Sequence, residues 1–426
     1  MKHTKGATIV VTIAATAAAL TGCAGTSGDS GTAPGKTTLS IALWSYAQTP
    51  EFKALIDAFQ AANPDITIKP VDILNNNYRD KVTTMLAGGD TTDIITIKST
   101  TDYAGYAAKK QLLPLNDLQQ KLADKKLARL DNYDWKGTYY AIPYRTDFYV
   151  LYYNKKLFKD AGLPAPENLT WDQFADQATK LTHGSGTGKV YGAYIHTWNA
   201  MVQGLAAAQT GRSQLDPSDY GWMKNQYELT LRLQKAGAIR DFGEALNQQV
   251  SYQTEFETGK AAMVPMGTWL IAPLLADRKA GKTDVDWGIA PLPQTQAGQQ
   301  IATAGGPTGF GINRRAKNVA AAKKFIEFAA GEKGAEAVAS IGIVPAYQSD
   351  AILKRYFGLE GIPQDDLSKK AFAPDVVRPE SPISDSTAAI NTVLNQEHGL
   401  IMTGSKSVDD GIKEMEQRVT SEVLHQ

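Results

Sequence analysis

Short apolar runs alternate with segments of helical periodicity over the first part of the chain. Leu39 to Trp44 predicts a strand, and Thr49-Pro50 marks the start of a helix in which Thr49 would be the N-cap. The inward face of that helix is predicted at Phe52, Leu55, Ile56 and Phe59. Ile66 to Val71 and Asp93 to Ile97 predict further strands around a second helix. This alternation predicts an open α/β body.

The pattern also predicts where that body would bind a ligand. Ligands of open α/β sheets bind beyond the carboxyl ends of the strands, which places Trp44, Tyr46 and the turn at Lys98 near the mouth of a crevice. Further along, a helix beginning at Thr170 and a strand from Trp287 to Pro293 predict a second mixed α/β body.

The segment from Gly137 to Lys155 carries charge where burial is expected. Arg145 and Asp147 directly precede Phe148 to Tyr153, a run that is apolar or aromatic at every position. Such a run is typical of a strand covered on both faces. The charges therefore either line a cleft or form a buried ion pair, and this stretch alone leaves both possibilities open.

Length and charge narrow the class of protein. At 426 residues the chain is longer than a single growing core supports, so two domains are expected. Its 44 basic residues balance 44 acidic ones, and no basic run or patch is evident in the sequence. A nucleic-acid partner is therefore not expected.

The amino terminus has the pattern of a secretion signal. Lys2 and Lys5 precede the apolar stretch from Ala7 to Leu20, and small residues then lead to Cys23, the sole cysteine. Residues 1–22 are predicted to be a signal peptide of the bacterial lipoprotein type, with Cys23 as the acylated first residue of the mature chain. The Gly/Ser/Thr-rich residues 23–37 are predicted to be a flexible tether. We therefore expect a lipid-anchored protein outside the cytoplasmic membrane.

Several motifs recur in a fixed order through the mature chain. They are FQAANPDITIK, DIITI, LLPLNDL, GTYYAIPYRTDFYVLYYNKKLFKDAGLPAPENLTWDQF, FETGKAAMVPMGTW, WGIAPLP, and GGPTGFGINRRAKNVAAAKKFIEF followed by GIVPAY. Together they resemble the extracellular solute-binding proteins of bacterial ABC importers, in particular the carbohydrate-binding group that includes maltose-binding protein. Together with the predicted lipoprotein signal peptide, the resemblance implies a Gram-positive or related envelope.

The resemblance implies a fold and a function. The fold class would be α/β, a two-lobe clamp of the type II periplasmic-binding-protein kind with a multi-segment hinge. The N-terminal lobe would comprise residues 38–146 and 300–346, and the C-terminal lobe residues 147–299 and 347–426. The protein would be a monomeric receptor without a cofactor. It would deliver a carbohydrate to the permease subunits in the membrane, and we expect this carbohydrate to be an oligosaccharide.

The resemblance also implies site residues. Asp147 matches an acidic residue that accepts bonds from sugar hydroxyls, and Trp269 matches a tryptophan that stacks on a sugar ring. The family often has a tryptophan after its DI-type strand, but this chain has Lys98 there, so Trp44 or Tyr46 would substitute. Arg145 would either bond a ligand hydroxyl or only pair with Asp147. Further crevice residues are expected at Trp198, Gly306 and Asp385.

The sequence also contains candidates for two other kinds of site. The stretch HGSGTGK, residues 183–189, lacks the first glycine and the final Ser or Thr of a phosphate-binding loop, so a flexible surface loop is expected. A secreted glycoside hydrolase would need a carboxylate pair, for which Asp147 with Glu255, Glu257 or Glu380 are the candidates. Since sequence spacing cannot reveal the separation of two carboxylates, this enzyme remains the alternative function. The histidines of the mature chain lack metal-ligand spacing, and no metal site is expected.

Overall fold

The computed structural model of the protein describes residues 36–425. The predicted signal peptide, Cys23 and nearly all of the tether lie outside these residues. The strands are β1 Thr37–Trp44, β2 Ile66–Ile73, β3 Ile94–Ile97, β4 Asp134–Trp135, β5 Thr138–Tyr139, β6 Ile142–Asn154, β7 Met263–Gly267, β8 Trp287–Ala290, β9 Ala302–Ile312 and β10 Val376–Pro379. The helices are α1 Pro50–Ala62, α2 Tyr78–Gly88, α3 Thr100–Ala108, α4 Asn116–Lys121, α5 Lys155–Asp160, α6 Trp171–Leu181, α7 Gln203–Thr210, α8 Lys224–Lys235, α9 Phe242–Asn247, α10 Tyr252–Glu257, α11 Ile271–Lys279, α12 Val319–Ala330, α13 Glu332–Ala339, α14 Asp350–Phe357, α15 Asp366–Ala371, α16 Thr387–Met402 and α17 Val408–Arg418.

The strands form a mixed sheet in the order β2-β1-β3-β9-β6-β7. β1 pairs in parallel with β2 and β3, whereas β3, β9 and β6 are antiparallel to one another in turn. β8 also pairs with β6, and β10 pairs in parallel with β9. Parallel strands joined through helices are the arrangement expected of an α/β fold, so the predicted fold class is confirmed.

Strand β6 joins the two parts of the sheet. Its residues from Ile142 to Phe148 pair with β9, and those from Tyr149 onward pair with β7 and β8. All of its residues are buried, as the continuous apolar run predicted. The register shifts between Pro143 and Arg145, where the proline ring has no N–H to give to the neighbouring strand. This strand therefore carries Arg145 and Asp147 to the boundary between two regions of pairing.

Separate hydrophobic clusters lie on the two sides of this boundary. The first cluster is built mainly from residues 39–144 and 310–343, including the predicted inward face of α1. Three further clusters draw on β7, β8 and the helices of the middle and end of the chain. Each side thus buries its own apolar surface, which is the condition for two bodies around one hinge. The residue limits predicted for the lobes stay a prediction.

The segment after β3 differs from the expected turn. Ser99 is the N-cap of α3, and its hydroxyl accepts a bond from the backbone N–H of Asp102 at 3.1 Å. Periodicity did not reveal this helix because nearly all of its residues are buried, including its polar first turn. Within residues 36–425 no helix is both long enough and apolar enough to span a membrane.

Candidate functional site

A chain of buried charged groups crosses the boundary marked by β6. Arg145 Nη1 lies 3.1 Å from Glu51 Oε1 of α1, and Arg145 Nε lies 3.3 Å from Asp147 Oδ2. Asp147 Oδ1 accepts a bond of 3.0 Å from the hydroxyl of Thr268, which directly follows β7. All four side chains are buried. The ion pair that the sequence left open is therefore present, and it links α1 to the end of β7 through one strand.

The pKa values of this chain reflect competition between burial and pairing. Burial raises the pKa of Glu51 and of Asp147, although Arg145 beside them acts in the opposite direction. Burial alone would lower the pKa of Arg145, but Asp147 and Glu51 hold it above its usual range. The guanidinium therefore stays charged and pairs with both carboxylates. Its single positive charge can neutralise only one of them.

Aromatic side chains surround the outer end of this chain. The ring of Trp269, next to Thr268, lies edge-on to Tyr149 at 5.4 Å between centroids and tilted against Trp198 at 6.3 Å. The ring centroid of His196 lies 4.4 Å from that of Trp198 and 5.2 Å from that of Tyr252. Tyr149 is fully buried, whereas Trp198, Tyr252 and Trp269 are only partly buried. The cluster therefore presents indole and phenol surface directly beside Asp147.

A C-terminal segment, residues 376–386, reaches this cluster and is called the strap below. It begins with β10, and its Glu380 accepts a hydrogen bond from the Tyr149 hydroxyl. The backbone oxygen of Ser381 accepts a bond of 3.2 Å from the hydroxyl of Thr100, the first residue of α3. Asp385 forms an exposed ion pair of 2.6 Å with Lys136. The strap thus places Glu380 beside Tyr149, while the side chain of Asp385 is exposed and pairs with Lys136.

The pKa of Glu380 gives a testable pH dependence. Burial raises this pKa above 4.5, the Tyr149 hydrogen bond acts against the rise, and Asp147 adds to it. The folded protein therefore binds a proton at Glu380 more readily than the unfolded chain does, so this group's contribution to stability is fully present below 4.5 and is lost as pH rises through the folded pKa.

We therefore expect Glu380→Gln to gain stability relative to the parent as pH rises from about 4.5 to 8. Urea unfolding of both proteins at a series of pH values measures the difference. The two proteins share every other titratable group, so their difference isolates Glu380. A difference that does not change with pH would contradict the expectation.

The three residues predicted to contribute to the site from the first lobe, Trp44, Tyr46 and Lys98, differ in their burial and contacts. Trp44 is buried and lies edge-on to Phe52 and Tyr78 at 4.8 and 5.3 Å. Lys98 Nζ lies 5.4 Å from the Trp44 ring centroid and donates to the backbone oxygen of Asn75 at 3.2 Å. Burial lowers the pKa of Lys98 to about 8. Of the two aromatic candidates, Trp44 is buried and Tyr46 is the more exposed residue.

Gly306 lies directly beside Asp147. It is the β9 residue opposite Asp147 of β6, and a Cβ added there would meet no heavy atom within 4 Å. The neighbouring Gly305 is different, because a Cβ there would strike the backbone oxygen of Asp147. Of the predicted residues, the structure therefore gathers Arg145, Asp147, Gly306, Trp198 and Trp269 into one region. Glu51, Tyr149 and Tyr252 join them there, although none of these three was predicted as a site residue. Glu380, named from the sequence only as a carboxylate of the alternative hydrolase, joins them as well.

Other chemistries find less support. Glu255 accepts two bonds from Arg240, of 2.8 and 3.0 Å, and Glu257 accepts one of 3.1 Å from Gln253, whereas Glu380 accepts its bond from Tyr149 of the aromatic cluster. Over residues 36–425 no group of three or more His, Cys, Asp or Glu side chains has the arrangement of a metal site. Residues 186–188 of the glycine-rich stretch form an exposed single turn.

Comparison with known proteins identifies the family. The family model described as "Bacterial extracellular solute-binding protein" matches residues 45–336, more than half of the chain. The chain belongs to this family. The matched range includes β6, Asp147 and Trp269 and ends before the strap.

Relatives within the family extend the likeness. The crystal structure of a sugar transporter from Rhizobium etli, in an open conformation, is 35% identical, with a TM-score of 0.73 over 89% of this chain and 98% of that one. The mannitol-binding protein of Pseudomonas aeruginosa is 35% identical over 152 residues. A maltooligosaccharide ABC transporter solute-binding lipoprotein of Streptococcus pneumoniae is 28% identical over 209 residues. These last two matches span only 35% and 45% of the relatives' own length.

Proposed function

We propose that this solute-binding protein is a lipid-anchored carbohydrate receptor that delivers its ligand to the permease subunits of an ABC importer. The observation that carries the proposal is the placement of Asp147 next to the partly exposed ring of Trp269. A carboxylate accepts charge-assisted bonds from vicinal hydroxyls, and an indole plane matches the C–H face of a sugar ring. The relatives named for mannitol and maltooligosaccharides support a carbohydrate ligand.

The proposed receptor works as a clamp. Its lobes would have the limits given from the sequence, with β6 and β9 among the hinge segments, and the ligand would lie between Asp147, Trp269 and a first-lobe aromatic ring. The strap's bonds to Thr100 and Lys136 support a clamp that closes around its ligand. They connect the end of the strap to α3 and to the residue after β4, and both of these elements contribute residues to the first hydrophobic cluster. We propose a monomer in which each chain has a complete site.

A calorimetric screen of the purified mature protein tests the ligand class. The panel comprises D-mannitol, D-glucose, maltose, maltotriose and arabinotriose, with inorganic phosphate as a ligand of another class. We expect at least one of the sugars to bind, and phosphate not to bind. A protein that binds none of the sugars would overturn the proposal.

The same samples test for enzymatic activity. We propose a receptor that is not an enzyme, so a bound oligosaccharide should be recovered intact after a long incubation. Chromatography of the recovered sugar, against a control without protein, measures this. Cleavage above that control would favour the hydrolase alternative, with Asp147 and Glu380 as the carboxylates to test first.

The lipid anchor gives a separate prediction. Cys23→Ser should release the protein from membranes, because acylation requires the thiol and Cys23 is the only cysteine in the chain. Stable anchoring requires two acyl chains, and their attachment would depend on the Cys23 thiol. A serine hydroxyl in its place should therefore remove the stable attachment. Membrane fractionation of cells measures the distribution, with Ala24→Ser as the matched control. Equal membrane partitioning of both variants would contradict an anchor at Cys23.

A further inference from the structure

Three neighbouring backbone segments bring a second carboxylate to the site. Asp147 of β6 is paired with Gly306 of β9. On the other side of β9, Pro379 of β10 is paired with Gly305, and β10 is parallel to β9. Glu380 follows Pro379 and therefore comes beside Gly306. Because adjacent strands lie roughly 4.8 Å apart, the backbones at Asp147 and Glu380 are about 10 Å apart, with Gly306 between them.

The space above Gly306 is open. An added Cβ would meet nothing within 4 Å, and the φ of Gly306 lies outside the range that L side chains rarely adopt. The backbone at this position therefore does not require glycine. What glycine provides here is a floor without a side chain, next to the aromatic cluster of Tyr149, Trp198 and Trp269.

Two groups at the edges of this floor have spare hydrogen-bonding capacity. Arg145 is buried, yet its Nε, 3.3 Å from Asp147 Oδ2, makes no hydrogen bond to any atom of residues 36–425. Glu380 takes part in no ion pair within the same residues, and the Tyr149 hydroxyl is its hydrogen-bond partner there. A buried donor left without a partner costs stability unless a ligand completes it.

We propose that Glu380 is a second ligand-binding carboxylate, and that Asp147 and Glu380 hold the two edges of one sugar unit seated over Gly306. The inference rests on the proposed carbohydrate function and extends it to the class of sugar. Both carboxylates accept hydrogen bonds, so the seated unit must carry hydroxyl donors at two edges, as a neutral hexose or hexitol does. Uronic acids and sugar phosphates are disfavoured, because their negative charge would face two carboxylates.

Gly306→Leu tests the floor. The added side chain should fill the space between the carboxylates and weaken binding of the tightest-binding sugar of the panel at least tenfold, without lowering the melting temperature. Gly188→Leu is the matched control, because a Cβ there also meets nothing within 4 Å and it lies in an exposed turn remote from the site. Unchanged sugar affinity in Gly306→Leu would overturn the seat.

Glu380→Gln tests the second carboxylate. Glutamine keeps an oxygen for the Tyr149 hydroxyl but removes the charge, so affinity should fall roughly tenfold or more. Asp375→Asn, an exposed residue just before β10 whose carboxylate accepts the backbone N–H of Ile301, is the control. A lower melting temperature with unchanged affinity would make Glu380 structural and overturn the inference while leaving the carbohydrate receptor intact. A parent protein that binds no panel sugar overturns both.

Discussion

Replacing Arg145 with methionine should lower the free energy of unfolding by about 3–5 kcal/mol, the range for removing one partner of a buried ion pair. The guanidinium is the one cation within 4.0 Å of Glu51 and Asp147 among residues 36–425. Without it, two buried carboxylates would face each other or take up protons. Chemical denaturation at neutral pH measures the loss.

Two comparisons make this prediction specific. Arg232→Met removes an exposed ion pair, in which the Arg232 side chain is 60% exposed and that of Asp172 is 83% exposed. This change should lower the free energy of unfolding by no more than about 1 kcal/mol. Combining Arg145→Met with Glu51→Gln and Asp147→Asn should recover much of the loss, because no buried charge then lacks a partner. If Arg145→Met cost as little as Arg232→Met, the charged chain would have to be solvated rather than buried.

Trp269→Ala should weaken sugar binding by about 2–4 kcal/mol, as truncation of a central aromatic residue in a binding site does. That corresponds to roughly 30-fold to several hundredfold in affinity. The ring folds over the backbone of Gly267, where an added Cβ would collide with it, so the plane is held in place before a ligand arrives. A fixed plane loses little side-chain entropy on binding, which favours a large effect.

Calorimetric titration with the panel sugars measures the loss, and a melting curve controls for stability. Trp222→Ala is the matched control, since Trp222 is also partly exposed but packs beside Tyr220 in another hydrophobic cluster. We expect that variant to keep the parent's affinity. Equal affinity in Trp269→Ala and the parent would remove Trp269 from the binding site.

The sequence predicted the elements whose burial pattern is local. The inward face of α1 and the fully buried β6 could be recognised because each burial pattern repeats within a single element. The helix α3 could not, because nearly every position in it is covered by other parts of the chain and its polar residues are buried too. Periodicity shows which side of an element is covered only when another side is not.

The site was predictable only where a motif carried it. Asp147 and Trp269 stand in conspicuous stretches, whereas Glu51 sits in the first turn of α1, where an acidic residue is ordinary. Glu380 lies 231 residues from Tyr149 in the chain, and nothing in its own neighbours signals that contact. Such pairs depend on which strands become adjacent, and this is a property of topology rather than of local sequence.

The closeness of Trp198 and Trp269 also gives the protein an optical property. Their rings lie 6.3 Å apart and are partly exposed, whereas Trp44, Trp135, Trp171 and Trp287 are buried. Indole emission shifts with the polarity around the ring, so covering these two rings should change the ultraviolet fluorescence of the whole molecule. The unlabelled protein would then report its own occupancy in a cuvette, in real time and at micromolar concentration.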